Sequence, residues 1–421
     1  MNAEGQNLAA HLLDGPPVVD AATLDRIPPI VSVDDHVVEP PHVWERWLPA
    51  RWASHPDRPR VERRGVATLD FTGGTSYALA FTDDPAAPQA DCWVYEDLVV
   101  PHKRHVAAVG FARDDMTLSP ITYDEMRPGC FDPHARLDDM TLNGVEASLN
   151  FPTFPRFCGQ TFAEARDKDL ALACVRAYND WTLQEWCATD RARLVPLAIV
   201  PLWDVELAVA ELRRVAALGV TAVAFSEVPY HLGLPSLHSG YWDPFVAACA
   251  ELSVVICMHI GSSSKMPATS PDAPPAVQAT LSFNNAMACL SDWLFSGLLE
   301  RHPTLTLALS EGQIGWIPYI LERADDVWVE HRAWGGVAGR LTMPPSAYFR
   351  RQVYGCFFRD RTGIALLDRI GTDRVTVETD YPHTDSTFPH TRQITAAALA
   401  DVAQDVVDAI CAGNARRMLR L

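Results

Sequence analysis

From Pro29 to the C-terminus, short Val/Ile/Leu-rich runs alternate with longer amphipathic stretches, the pattern of repeated βα units. The runs predict eight strands at 30–34, 145–151, 194–201, 220–226, 254–260, 305–311, 353–358 and 375–380. Between them, helical periodicity covers stretches such as 164–190, 205–218, 244–252, 276–301 and 361–370, and a last helical stretch spans 391–412. Eight strands with helical crossovers predict an α/β fold of the (β/α)8 TIM-barrel type, of the kind built by metal-dependent hydrolases. An open doubly wound sheet would carry a Gly-rich phosphate loop after its first strand, and none follows Ile30–Asp34.

Two segments break the rhythm. Residues 1–28 are polar without a clear period and read as a flexible N-terminal tail, leaving 29–421 as a single barrel domain. Residues 37–143, rich in Pro, Asp and Trp, form a large insertion after strand 1. Inside it, 66–71 and 77–81, split by Gly73-Gly74, predict a β-hairpin. Because the insertion leaves from the C-terminal end of a barrel strand, it reads as a lid or subdomain over the pocket. A peripheral decoration or an oligomer contact is the other reading.

Composition narrows the function. The chain of 421 residues is 48% hydrophobic and 21% charged, as expected of a globular protein. Its net charge of −18 argues against a nucleic-acid partner, which needs a basic face to displace counterions. No apolar run reaches membrane-spanning length and no secretory leader pattern opens the chain, so a cytoplasmic location is expected. The ten cysteines form no C-x-x-C pair and read as buried thiols.

Side chains at the C-terminal ends of barrel strands converge on one pocket. The strand tips offer Asp34 and His36 (first), Arg156 (after the second), Glu227 (after the fourth) and His259 (fifth), with Glu311 from the sixth and Asp380 from the eighth. Two carboxylates and two histidines are a ligand set for Zn²⁺ or Mn²⁺. Asp34 and His36 are alternate residues of one strand, so both point the same way and can share an ion. Arg156 can clamp a substrate carboxylate, and Trp316, Tyr381 and Phe154 can form an apolar wall for a ring. His383, three residues past Asp380, is a candidate acid/base or a hydrogen-bonding partner of its neighbours.

Asp34-Asp35-His36, Met258-His259-Ile260 and Glu378-Thr379-Asp380-Tyr381-Pro382-His383 resemble the signature of the amidohydrolase-related family. This is the branch of the amidohydrolase superfamily that contains aminocarboxymuconate-semialdehyde decarboxylase and the resorcylate-type decarboxylases. Arg127-Pro128-Gly129-Cys130-Phe131-Asp132-Pro133 and the run Ser310 to Pro318 are similar to a subgroup of it. The resemblance implies one divalent metal, zinc or manganese, held by Asp34, His36, His259 and Asp380. The acid-x-His form of strand 1 is closer to the resorcylate-type members, and strand four holds no lysine for a second metal.

Many relatives carry a His-Gly-Gly at strand six, where this chain has Glu311-Gly312. Glu311 is then either the acid/base or a partner that orients His259. The resemblance implies a decarboxylase of a small aromatic or unsaturated carboxylic acid, or a hydrolase using metal-activated water with Asp380 or Glu311 as base. A non-catalytic binding barrel is the remaining alternative. A homodimer or larger homo-oligomer is expected.

Overall fold

The computed structural model describes residues 15–73 and 76–421. Residues 1–14 of the expected tail lie outside them. The rest of that tail is anchored: Asp20 caps the short helix Ala21–Asp25 by accepting from Thr23 N at 2.7 Å. Just after it, the Arg26 guanidinium donates to the Ala400 and Val402 carbonyls.

The parallel strands are β1 (Ile30–Val37), β6 (Val145–Pro152), β7 (Leu194–Val195), β8 (Leu197–Ala198), β9 (Ala222–Ala224), β10 (Val255–His259), β11 (Leu307–Ser310), β12 (Val353–Phe357) and β13 (Val375–Val377). They form two hydrogen-bonded sheets, ordered β1-β6-β7 and β13-β12-β11-β10-β9-β8. The break falls inside the expected third strand, at Pro196, which has no N–H to give to a ladder. No continuous ladder closes a barrel among the described residues. The last strand nevertheless meets the first at its tip, where Asp380 N donates to Asp34 O (3.0 Å) and His36 N to Tyr381 O (2.6 Å). All of β1 is buried, its Ser, Asp and His included, as in a strand covered on both faces.

Expected helices are shortened where their last turns loosen. The stretch beginning at Glu164 becomes Lys168–Trp181, with Asp167 accepting from Asp169 N and Leu170 N as N-cap. A π turn, Thr182–Trp186, follows. The long stretch 276–301 becomes three helices, Pro275–Leu281, Asn284–Ser296 and Leu298–Arg301, the last two divided at Gly297, which takes φ +79°.

Between β1 and β6 lies a four-stranded antiparallel sheet: β2 (Arg60–Gly73), β3 (Ser76–Thr82), β4 (Gln89–Tyr95) and β5 (Leu98–Pro101), in the order β3-β2-β4-β5. Sequence periodicity marked only the β2–β3 part of it. Trp93 of β4 fastens this sheet to the main body, stacked on Phe154 (4.8 Å, 26°) and edge-on to Trp44 (4.9 Å). Glu96 adds a second tie by accepting from Arg166 N and Asp167 N. No described helix is long and apolar enough to cross a membrane, and all ten cysteines are buried and free.

Candidate metal centre

Four side chains named from the sequence come together. Asp34 and His36 leave β1 on the same side, His259 ends β10, and Asp380 follows β13. His36 Nε2 lies 3.6 Å from Asp34 Oδ1 and 3.3 Å from Asp380 Oδ1, and His259 Nε2 lies 3.4 Å from Asp34 Oδ2. All four are at most 1% exposed. Although close, these contacts lack hydrogen-bond geometry. Both oxygens of Asp34 and Asp380, both nitrogens of His36 and Nε2 of His259 have no hydrogen-bond partner. Buried polar atoms are rarely left so, and orphans converging from three strands are an arrangement that could hold a cation. His259 Nδ1 donates to the Ile260 carbonyl at 2.6 Å, which fixes the tautomer with the Nε2 lone pair turned to the cluster.

The electrostatics agree. Burial, then Glu378, Glu311 and Asp380, push Asp34 well above the usual carboxylate range. Burial holds His259 down to about 3. Asp380 stays below its ordinary value because His383 and His36 outweigh its burial. A crowd of buried acids beside neutral imidazoles is what a divalent cation relieves.

Glu311 Oε2 stands 3.2 Å from His259 Nε2. Its backbone takes φ +54° at the end of β11, held by a bond from its N–H to Glu378 Oε2 (2.9 Å). His383 is stacked on His36 (3.7 Å, 24°), with Nδ1 3.1 Å from Asp380 Oδ1.

The other expected residues are placed differently. Glu227 is turned into the loop after β10, accepting from Gly261 N (2.9 Å) and the Ser263 hydroxyl (2.7 Å). Arg156 pairs with Glu164 a short way along the chain. Trp316 is half-buried and bonds through Nε1 to the Gly312 carbonyl at 2.7 Å, bracing the turn that presents Glu311. Tyr381, expected at the substrate wall, donates its hydroxyl to Asp139 at 2.6 Å. Phe154 belongs to the Trp44–Trp93 core. Phe157 takes the place beside the cluster, stacked on His259 at 4.1 Å and 10°.

Two residues that hold the site escaped sequence reasoning. Asp35, of opposite parity to its neighbours, accepts from Ser32 Oγ (3.1 Å), Thr379 Oγ1 (2.5 Å) and Tyr381 N (3.0 Å), and from Ser148 Oγ. It ties β1, β6 and the β13 tip together. Arg136, fully buried, donates to His36 O (2.5 Å), Gly129 O (2.8 Å) and Asn150 Oδ1 (3.1 Å), and its guanidinium lies 4.1 Å from the Tyr381 ring centroid. A Cβ on Gly129 would collide with Asp139 and the Tyr381 hydroxyl, so the glycine leaves room for those two side chains to meet. Arg136→Met should cost about 3 kcal/mol, since it strands these acceptors and removes the cation facing Asp35. Urea unfolding measures it, and a loss under about 1 kcal/mol would contradict the role.

The profile of the amidohydrolase family matches residues 90–421. A gamma-resorcylate decarboxylase from Rhodococcus jostii is 28% identical over 311 residues, covering 66% of this chain and 87% of its own. Among solved structures, an amidohydrolase from Mycobacterium avium subsp. paratuberculosis superposes with TM-score 0.65 at 20% identity, over 93% of this chain and 99% of that one. A 5-carboxyvanillate decarboxylase from Novosphingobium aromaticivorans, complexed with manganese and 4-hydroxy-3-methoxy-5-nitrobenzoic acid, gives 0.61 at 16% identity, over 94% and 97%. At such identities the superpositions speak for the fold, and that fold is the TIM barrel of the superfamily. The chain therefore belongs to the amidohydrolase family, as a metal-dependent enzyme of the branch that contains the resorcylate-type decarboxylases.

Proposed function

We propose that this protein is a mononuclear metal-dependent decarboxylase of a small aromatic carboxylic acid. The observation that carries the reading is the set of orphaned donor atoms on Asp34, His36, His259 and Asp380, which fall in two triads that share His36, Asp34-His36-His259 and His36-Asp380-His383, and so could hold one divalent ion between them. Manganese and zinc both suit the set. The resorcylate decarboxylase relative supports the substrate class. We read the two parallel sheets as arcs of one eight-strand barrel, 29–421 as one domain, and the insertion 37–143 as its lid.

A bound divalent ion would supply positive charge for the substrate carboxylate and an adjacent oxygen. The protein does the rest. Phe157 offers an apolar face beside His259, and Trp316 braces the Glu311 turn. As the bond between ring carbon and carboxylate breaks, the electron pair stays on the carbon and CO₂ leaves. Glu311 Oε2, beside His259, delivers the proton that the carbon takes up. His383 orients Asp380 from the open side.

The test is CO₂ release by metal-loaded protein from a panel of hydroxybenzoates and unsaturated diacids, with amides and lactones in parallel. Release from the hydroxybenzoates is expected. Turnover confined to the amides and lactones would make the protein a hydrolase using metal-activated water.

A further inference from the structure

The sheet of the insertion ends on an unblunted edge. In its order β3-β2-β4-β5, β4 is fastened to the main body through Trp93, and β3 stands two strands out from it. β3 is 7 residues long and regular, because both irregularities in its pairing with β2 fall in β2, which passes over Ala67 and Thr72. As an edge strand it turns every second N–H and C=O away from β2. Among the described residues nothing outside the sheet bonds to a backbone group of 76–82. Ser76, Ala78 and Ala80 are exposed, and the strand holds no proline, glycine or charged residue, the devices that keep an edge from pairing.

The strand is also its own antiparallel complement. Read inward from either end, Ser76-Tyr77-Ala78-Leu79-Ala80-Phe81-Thr82 runs hydroxyl, aromatic, alanine, leucine. Laid antiparallel on a second copy about a twofold axis at Leu79, it sets Leu79 opposite the partner's Leu79 and Ala78 opposite the partner's Ala80. Tyr77 then meets the partner's Phe81, and Ser76 the partner's Thr82. Opposed residues of an antiparallel pair share a face, and such cross-strand pairs stabilise a ladder. The leucines and aromatics fall on the side where Leu79 and Phe81 pack with Val66 and Leu69, and the alanines fall on the other. Charge fits as well. Asp83, next after the strand, enters no ion pair among the described residues, nor does Lys103, whose ammonium lies over the Tyr77 ring, 4.2 Å from its centroid. The same register carries the partner's Asp83 past Tyr77 toward that ammonium.

We propose that β3 is a self-association edge: two copies of this chain pair β3 to β3 about a twofold axis at Leu79, joining their four-stranded sheets into one continuous sheet. A twofold contact of this kind is closed, so association stops at the dimer and consumes the edge that would otherwise template aggregation. The pairing also steadies the insertion beside the metal centre. At the end of β2, a Cβ built on Gly73 would lie 3.8 Å from the Pro271 carbonyl oxygen, in the loop that follows the strand ending in His259.

The experiment is disulfide trapping of the full-length protein, with sedimentation velocity beside it. All ten native cysteines are buried, so a thiol introduced on β3 is the one open to mild oxidation. Leu79→Cys sits on the axis, where the Cα atoms of an antiparallel pair lie about 4.5–5.5 Å apart, within reach of a disulfide. It should run mostly as a covalent dimer. Ser76→Cys lies about 20 Å from the same residue of the other copy and should not link to itself, but should link when mixed with Thr82→Cys. Wild type should sediment as a dimer. The double variant Ala78→Lys/Ala80→Lys sets lysine opposite lysine on the exposed face and should raise the dissociation constant at least about tenfold, with thermal unfolding unchanged. A monomeric wild type overturns the proposal and leaves the edge to a different chain. So does Leu79→Cys that links no better than Ser76→Cys, which would place any dimer contact on another surface. A dimer indifferent to the two lysines overturns it as well, and should that variant fail to fold, the trapping comparison decides alone.

Discussion

Asp380→Ala should leave a folded protein that retains less than about a tenth of an equivalent of metal and releases CO₂ roughly a thousandfold more slowly, about 4 kcal/mol of lost transition-state stabilisation. The side chain stands between His36 and His383, at 3.3 and 3.1 Å, and both its oxygens lack a hydrogen bond from the protein. Removing it takes away a buried, unpartnered carboxylate that the segment after β13 turns toward His36. The fold should survive, because the strand tips are joined by Asp35, Arg136 and backbone bonds, none of which uses the Asp380 carboxylate. Elemental analysis of dialysed protein, CO₂ release and thermal unfolding, taken together, check the claim. A full equivalent of metal with wild-type turnover would remove Asp380 from the site.

The parts of this site that the sequence makes legible are those set by strand geometry. Asp34 and His36 share parity on one strand, and His259 and Asp380 end others, so the barrel rule alone brings them together. What resisted reading depends on contacts between distant segments. Asp35 looks like one more acid of a ligand cluster, yet parity turns it away into hydroxyls of Ser32, Ser148 and Thr379. Tyr381 and Phe154 are aromatic residues near strand ends, as Phe157 is, and nothing local tells which faces the cluster. Asp139, from a helix far away in sequence, captures the Tyr381 hydroxyl, and Trp44 and Trp93 capture Phe154. The fold shows the same division. Eight apolar runs mark the parallel strands, but the break at Pro196 and the added strands β4 and β5 come from pairing that local periodicity does not encode.

Glu311→Gln is the second large expectation: kcat should fall by about 10²- to 10⁴-fold, the usual worth of a positioned proton donor, with metal content and KM nearly unchanged. The argument starts from the backbone. A non-glycine residue at φ +54° is held there by the bond from its N–H to Glu378, so the turn is built to present this side chain. Its Oε2 lies 3.2 Å from His259 Nε2, at the edge of the cluster. Glutamine preserves the size of the side chain and its backbone bond but has no carboxylic proton to deliver to the ring carbon. Metal analysis separates this role from the alternative. A variant that loses metal together with activity would make Glu311 a partner that orients His259. Unchanged kcat in Glu311→Gln, beside a large loss in His383→Asn, would move the proton to His383, whose ring already stacks on His36 and faces Asp380.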